Sequence, residues 1–308
     1  MNKNMCQCTE RVLLNRSVII RTAALCRSVA KLNKNVTNYL DALGGHMLFV
    51  PRADDIYVVS YPRSGTTWLQ MILYQIMTDG DLNFGHISER VPFFERSLTV
   101  GRDLNALPSP RLFKTHYPYD RLPRFGKYIY VCRDGRDVLW SYFHFYRTHL
   151  RYEGSFERFF DLFINGRVGY GSWFKHVSDW LTHAEEPNCL VLHYEDLIRN
   201  FEASVHRIAG FCGRMISEER YASITECCSF DFMKRHQDKF DFGNEILCEL
   251  GIMQGRFIRH GEVAAWKSVF TSEQSEQFDR ALQSGRLNRS RFSTVYSGHP
   301  MEHTRWES

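Results

Sequence analysis

Between Tyr61 and Trp68 the chain reads Tyr-Pro-Arg-Ser-Gly-Thr-Thr-Trp, so that one guanidinium, three hydroxyls and a glycine stand side by side. That set suits an anion. Gly65 lets the backbone come close to a ligand. Ser64, Thr66 and Thr67 donate hydrogen bonds, and Arg63 offers a rigid positive fork. Where a strand turns into a helix, the N–H groups of the turn and of the first helical turn also converge on one spot. The run is not a Walker A loop, which needs two glycines with four residues between them, followed by Lys and Ser or Thr. On spacing alone, a phosphate-binding turn and a loop that merely caps a helix both remain open.

A second set lies in Phe113-Lys114-Thr115-His116-Tyr117-Pro118. In an extended segment, residues two apart face the same way, so Lys114 and His116 project into one pocket. An imidazole there takes a proton from a hydroxyl near neutral pH, and the ammonium steadies developing negative charge. The chain has 13 histidines, most of which must be structural or solvated, so His116 gains meaning only from its neighbours.

These residues need elements to hold them. Ile56 to Tyr61 is a short apolar run, as expected of a buried parallel strand. After a turn with Pro62 and Gly65, Thr66 to Met77 carries apolar residues at helical spacing. The theme recurs: Tyr128 to Cys132 reads as a strand, Arg133 to Arg136 as a turn, and Asp137 to Arg147 as a helix that Asp137 caps. Cys189 to His193 is another strand and Glu202 to Phe211 another helix. Strands alternating with helices predict a parallel sheet covered on both faces.

A length of 308 residues with 44% hydrophobic residues favours one large α/β domain. A net charge of +4 is too small to indicate nucleic-acid binding and fits a local basic pocket better. Nine cysteines, odd in number and irregular in spacing, argue against a disulfide framework or a zinc site and for a reducing compartment. No stretch approaches the ~18 to 20 apolar residues of a membrane span. Residues 1–36 are basic, with Glu10 the single acid, and read as an extension with the look of a transit peptide or an amphipathic surface helix. The catalytic domain is then expected over 37–284 and a polar tail over 285–308.

Taken together, the blocks resemble the cytosolic sulfotransferases, whose 5′-phosphosulfate loop is usually Tyr-Pro-Lys-Ser-Gly-Thr-Thr-Trp. Arg133 and Ser141, eight residues apart, are similar to the family's second signature, and Phe257-Ile258-Arg259-His260-Gly261 to its late 3′-phosphate segment. Val168 to Trp180 and Tyr194-Glu195-Asp196 also read like the family, and the likeness runs from about Asn38 to Leu282. The resemblance implies a single α/β domain whose central parallel sheet, flanked by helices, carries a P-loop-like strand–turn–helix. It implies transfer of a sulfuryl group from 3′-phosphoadenosine 5′-phosphosulfate (PAPS) to a small-molecule hydroxyl or amine, leaving 3′-phosphoadenosine 5′-phosphate (PAP), without a metal.

The roles it implies are specific. His116 is the general base, with Lys114 and Arg63 as the other catalytic side chains. Arg63 to Trp68, Arg133, Ser141, Arg259, His260 and Gly261 hold the donor, with Trp68, Tyr194, Cys228 and Phe230 around adenine. Phe93, Phe94, Tyr142, Phe145 and Tyr170, with Lys114 and His116, line the acceptor pocket. A soluble, cytoplasmic enzyme is implied, with no membrane span and no nucleic-acid partner. Lys267, Thr271 and Glu276 match a short dimer motif, so a homodimer through Lys267–Glu276 is possible, although an ordinary helix starting at Thr271 or Ser272 explains the same residues.

Several positions depart from the family. Arg63 replaces Lys; it keeps the charge but cannot release a proton to a leaving group. Cys228 replaces Thr and removes a hydroxyl. His260 replaces Lys, which predicts donor binding that weakens as pH rises. Ala264 stands where the family has Gly, and Ala265 where it has Asp. Two other readings stay open at this stage: a nucleotide kinase, for which a Walker Lys and an acidic Mg²⁺ ligand are not evident, and a catalytically impaired PAPS- or PAP-binding protein of the same fold.

Overall fold

The computed structural model describes residues 49–78, 80–99, 101–241, 258, 261 and 263–284. The expected extension over 1–36 and tail over 285–308 lie outside them. The chain forms two compact units. The smaller comprises Met1–Val50 and Arg96–Ala106, and in it the Val50 N–H donates to Asn105 Oδ1 at 2.9 Å. The larger, Pro51–Glu95 with Leu107–Ser308, holds the whole sheet.

The sheet has four parallel strands: β1 (Ile56–Val59), β2 (Leu112–Thr115), β3 (Lys127–Cys132) and β4 (Cys189–His193), in the order β2-β1-β3-β4. Ile56 pairs with Leu112 on one side and Lys127 on the other, and Tyr128 pairs with Cys189. All four residues of β1 are buried, as a strand covered on both faces requires. The helices are α1 (Thr66–Met77), α2 (Phe94–Thr99), α3 (Gly135–His149), α4 (Phe156–Ile164), α5 (Trp173–Thr182), α6 (Tyr194–Arg199), α7 (Phe201–Phe211), α8 (Glu218–Cys227), α9 (Phe230–Arg235) and α10 (Ser272–Ser284).

The two faces of the sheet differ in chemistry because strand side chains alternate. Ile56, Val58, Ile129 and Val131 join Leu69 and Ile72 of α1 and Val205 and Ile208 of α7 in an aliphatic core. The opposite face is a row of rings: Tyr57 stacks on Phe113 (5.1 Å) and Tyr128 (5.5 Å), and Tyr130 on Trp180 of α5 (5.1 Å). Just before β1, the carboxylate of Asp55 takes a two-pronged grip on Arg111, at 2.6 Å to Nε and 2.7 Å to Nη2, and neither side chain is exposed.

Sequence reading places α1 and β4 at their observed bounds but starts α3 two residues late. The cap of α3 is Asp134, which accepts the Arg136 N–H at 2.8 Å; Asp137 instead lies buried inside the helix. The chain passes from β1 to β2 on one side and later to β3 on the other. A crevice therefore opens at the carboxyl ends of β1 and β3, the place where open α/β sheets bind ligands.

Candidate active site

A cavity of about 310 Å³ occupies that crevice. Its floor is the turn from β1 to α1. Arg63 and Gly65 there have φ of 70° and 96°, the left-handed region that glycine adopts freely and other residues adopt at a cost of about 1–2 kcal/mol. A Cβ on Gly65 would stand 2.6 Å from Cδ2 of Tyr194, so close approach as well as φ requires glycine. Gly65 is the N-cap of α1 and brings no side-chain acceptor to the first turn, which also carries no acid. Ser64 is buried, and its Oγ has no hydrogen-bond partner among the described residues. An anion satisfies both the hydroxyl and the first-turn N–H groups.

Cations from three strand ends face this floor. Arg63, Lys114 and Arg133 all line the cavity, each over an aromatic ring: Arg63 Cζ over Phe145 (5.3 Å), Lys114 Nζ over Phe93 (4.6 Å) and Arg133 Cζ over Tyr194 (4.3 Å). Arg63 Nε donates to Ser141 Oγ at 3.2 Å, and Arg133 Nη1 donates to the Arg63 carbonyl at 3.3 Å. Desolvation lowers the Lys114 ammonium to about 8, a fall resisted by Glu95 and reinforced by Arg63.

His116 sits beside Lys114, just past the end of β2. Its Nδ1 lies 2.7 Å from the Ser60 carbonyl, an acceptor only, so Nδ1 carries the proton and Nε2 the lone pair. Burial, and then the Lys114 charge, hold its pKa well below the usual imidazole range. The imidazole is neutral at physiological pH. Phe93 (5.3 Å) and Tyr170 (5.1 Å) meet it edge-on, and His176 Nε2 lies 3.2 Å from its carbonyl.

Most of the residues named from sequence meet here. Arg63, Gly65, Thr66, Thr67, Trp68, Phe93, Lys114, His116, Arg133, Ser141, Tyr142, Phe145, Tyr170, Tyr194, Phe230 and Gly261 line the one cavity. Ser64 lies just beneath. Two do not arrive. Phe94 is the first residue of α2, and its fully buried ring packs against Tyr57 and Phe113 instead of lining the cavity. The Cys228 side chain is buried in the aliphatic core; that residue contributes its carbonyl, which accepts the Trp68 indole N–H at 2.8 Å. One face of Trp68 is covered by Phe201, stacked at 5.7 Å. Arg259 and His260 lie outside the described residues.

Sequence reading missed other members. Asp137 and Trp140 line the cavity from α3, with Pro62, Met233, Ile258 and Ala265. Asp137, Ser141 and Phe145 are spaced by four, so once Ser141 is placed the other two follow on the same helix face. Asp137 accepts the N–H groups of Ala264 (2.7 Å) and Trp266 (3.2 Å) and so fastens the segment after Gly261 to α3. Ala264 has φ of 62°, a left-handed position where the family glycine would be unstrained. Of the segment matched to a dimer motif, Thr271 N-caps α10: its Oγ1 accepts the Gln274 N–H at 3.1 Å.

Uncapped first-turn N–H groups, a buried hydroxyl, three cations and flanking rings fit a phosphorylated nucleotide. Comparison with known proteins agrees. A model described as the sulfotransferase domain matches residues 53–292. The chain is 37% identical over 247 residues to the amine sulfotransferase of Oryctolagus cuniculus, covering 76% of this chain and 81% of that one. Among solved structures, retinol dehydratase in complex with androsterone and the inactive cofactor PAP superposes with a TM-score of 0.70 at 26% identity, over 80% of this chain and 85% of that one. The mouse sulfotransferase SULT7A1 complexed with PAP does so with a TM-score of 0.67 at 27% identity, over 85% and 94%.

Proposed function

The chain belongs to the sulfotransferase family, and we propose that it transfers a sulfuryl group from PAPS to a hydroxyl or amine of a small acceptor with His116 as general base. The observation that carries this reading is the pairing of a neutral imidazole, its tautomer set by the Ser60 carbonyl, with Lys114 and Arg63 on one cavity. PAPS, when bound, supplies the sulfuryl group and an adenosine bisphosphate leaving group. The turn Arg63–Thr67 and the start of α1 hold its 5′ side, and Arg133 and Ser141 its 3′-phosphate. Trp68, Tyr194 and Phe230 flank the base.

The remaining work is positioning, charge stabilisation and one proton transfer. Nε2 of His116 takes the proton of the acceptor hydroxyl or amine as the nucleophile attacks. The Lys114 ammonium and the Arg63 guanidinium stabilise negative charge on the oxygens around sulfur. Arg63 acts electrostatically only, since a guanidinium does not release its proton. Phe93, Tyr142, Phe145, Tyr170 and Trp140 give the acceptor an aromatic wall, which selects a small apolar body around the nucleophile. Likeness to an amine sulfotransferase supports including amines among the acceptors.

The test is transfer of label from radiolabelled PAPS to a panel of phenols, alcohols and amines, with PAP binding measured in the same samples. His116→Ala is expected to lose about 10²–10⁴-fold in turnover while still binding PAP. A mutant that transfers at the wild-type rate removes His116 as the base. Wild type that binds PAP and turns over no acceptor favours a binding protein, and wild type that does not bind PAP overturns the donor.

A further inference from the structure

Residues 92–95 run alongside the catalytic segment like a rail. The Lys114 N–H donates to the Pro92 carbonyl at 2.9 Å, and Phe93 bridges to Lys114. Two residues on, the His116 N–H donates not to a backbone carbonyl but to the carboxylate Oε1 of Glu95, at 2.7 Å. Glu95 is buried. A neutral acceptor would serve that N–H at far lower desolvation cost, so a carboxylate there calls for a reason beyond the hydrogen bond.

We propose that Glu95 is a positioning residue of the transfer reaction: its carboxylate holds the backbone of His116 under the cavity and supplies the negative charge that keeps Lys114 an ammonium. The inference rests on the roles proposed above for Lys114 and His116. The charged and titratable groups facing this pair are Arg63 from the turn after β1, His116 itself, His176 of α5 behind the imidazole, and Tyr170 from the loop before α5. Arg63 pushes Lys114 toward its neutral form and Glu95 pushes it back. Burial lifts the Glu95 carboxyl to about 7, while bonds from the His116 backbone and Thr115 and the Lys114 charge pull it down. Glu95 therefore becomes charged as pH rises through about 7, before Lys114, titrating near 8, begins to lose its proton.

Glu95→Gln keeps an acceptor for the His116 N–H and removes only the charge. The alkaline limb of kcat/KM is expected to move to lower pH by about one unit, the size an adjacent opposite charge produces. The Lys114 ammonium, followed by NMR in 15N-lysine-labelled protein, should titrate lower by the same amount. Glu95→Asp keeps the charge with a shorter reach, so it should retain the wild-type limb while lowering kcat. It also serves if the Gln variant fails to fold. Superimposable limbs and unchanged Lys114 titration in Glu95→Gln overturn the proposal, as does a Glu95→Asp limb shifted acidward with an unchanged kcat. His116→Ala turning over normally would instead overturn the roles on which the inference rests.

Discussion

The two edges of the sheet treat buried charge in opposite ways. At the amino edge, Arg111 and Asp55 are fully buried and close on each other through two short hydrogen bonds. At the carboxyl edge, Arg63, Lys114 and Arg133 gather around a cavity. The acids around them, Glu95 and Asp137 buried and Glu195 half-buried, hold the backbone: Glu95 accepts the His116 N–H, Glu195 the Asp134 N–H, and Asp137 those of Ala264 and Trp266. One edge neutralises itself and serves the fold. The other turns its acids mainly to fastening the backbone and gathers three cations around the cavity, a lining suited to a polyanion. A buried charge is structural or functional according to what its counter-charge is bonded to.

The largest test of this contrast is Asp55→Asn. It strands the Arg111 guanidinium inside the protein, and a loss of about 3–5 kcal/mol in urea-unfolding stability is expected. At the other edge, Arg63→Ala should change unfolding stability by only about 1 kcal/mol, the net worth of its hydrogen bond to Ser141, yet cost on the order of a hundredfold in kcat/KM. Arg63→Lys should keep substantial activity. If Arg63→Ala unfolds the protein as Asp55→Asn does, the edges are not distinct. A third effect is on pH dependence. On the proposed mechanism, kcat/KM depends on a neutral His116, deprotonated well below its usual range, and a charged Lys114 titrating near 8. The rate should be flat around neutrality and fall about tenfold by pH 9 as Lys114 loses its proton. A profile that still rises to pH 9 removes Lys114 as the cation. The smallest effect is at Ala264, whose left-handed backbone costs an alanine about 1 kcal/mol. Ala264→Gly should raise stability by about that amount and leave PAP affinity unchanged.

Three of the four strands were legible from sequence because they are short apolar runs, and α1 because it carries its apolar residues at helical spacing; β2, with Lys114 in it, reads only as an extended segment. The turn at Arg63–Thr67 and the Lys114/His116 pair stood out as local groupings, but spacing alone left their roles open and only the resemblance to a family implied them; the fold brings both to one cavity. What escaped depends on distant partners. Asp134 and Asp137 both look like helix caps; only the fold shows that Asp137 reaches Ala264 and Trp266, more than a hundred residues on. Phe93 and Phe94 are indistinguishable in sequence. The helix that begins at Phe94 sends its ring to Tyr57 while Phe93 stays beside His116. Glu95 carried no signal at all, because its meaning comes from a parallel contact with a segment 21 residues away.

The loop Gly169-Tyr170-Gly171 is gripped entirely by its main chain. The Tyr142 hydroxyl donates to the Gly169 carbonyl at 3.1 Å, the Tyr61 hydroxyl to that of Gly171 at 2.8 Å, and the Gly169 N–H donates to the Tyr146 hydroxyl at 2.7 Å. None of these anchors touches the side chain of residue 170, which stands at the mouth of the site, edge-on to His116; the left-handed φ of 66° there disfavours β-branched replacements most. Shape and lettering are thus inherited separately at this point. On the proposed reading, residue 170 is then a place where the wall that meets an acceptor can change while the main-chain anchors of the loop stay as they are.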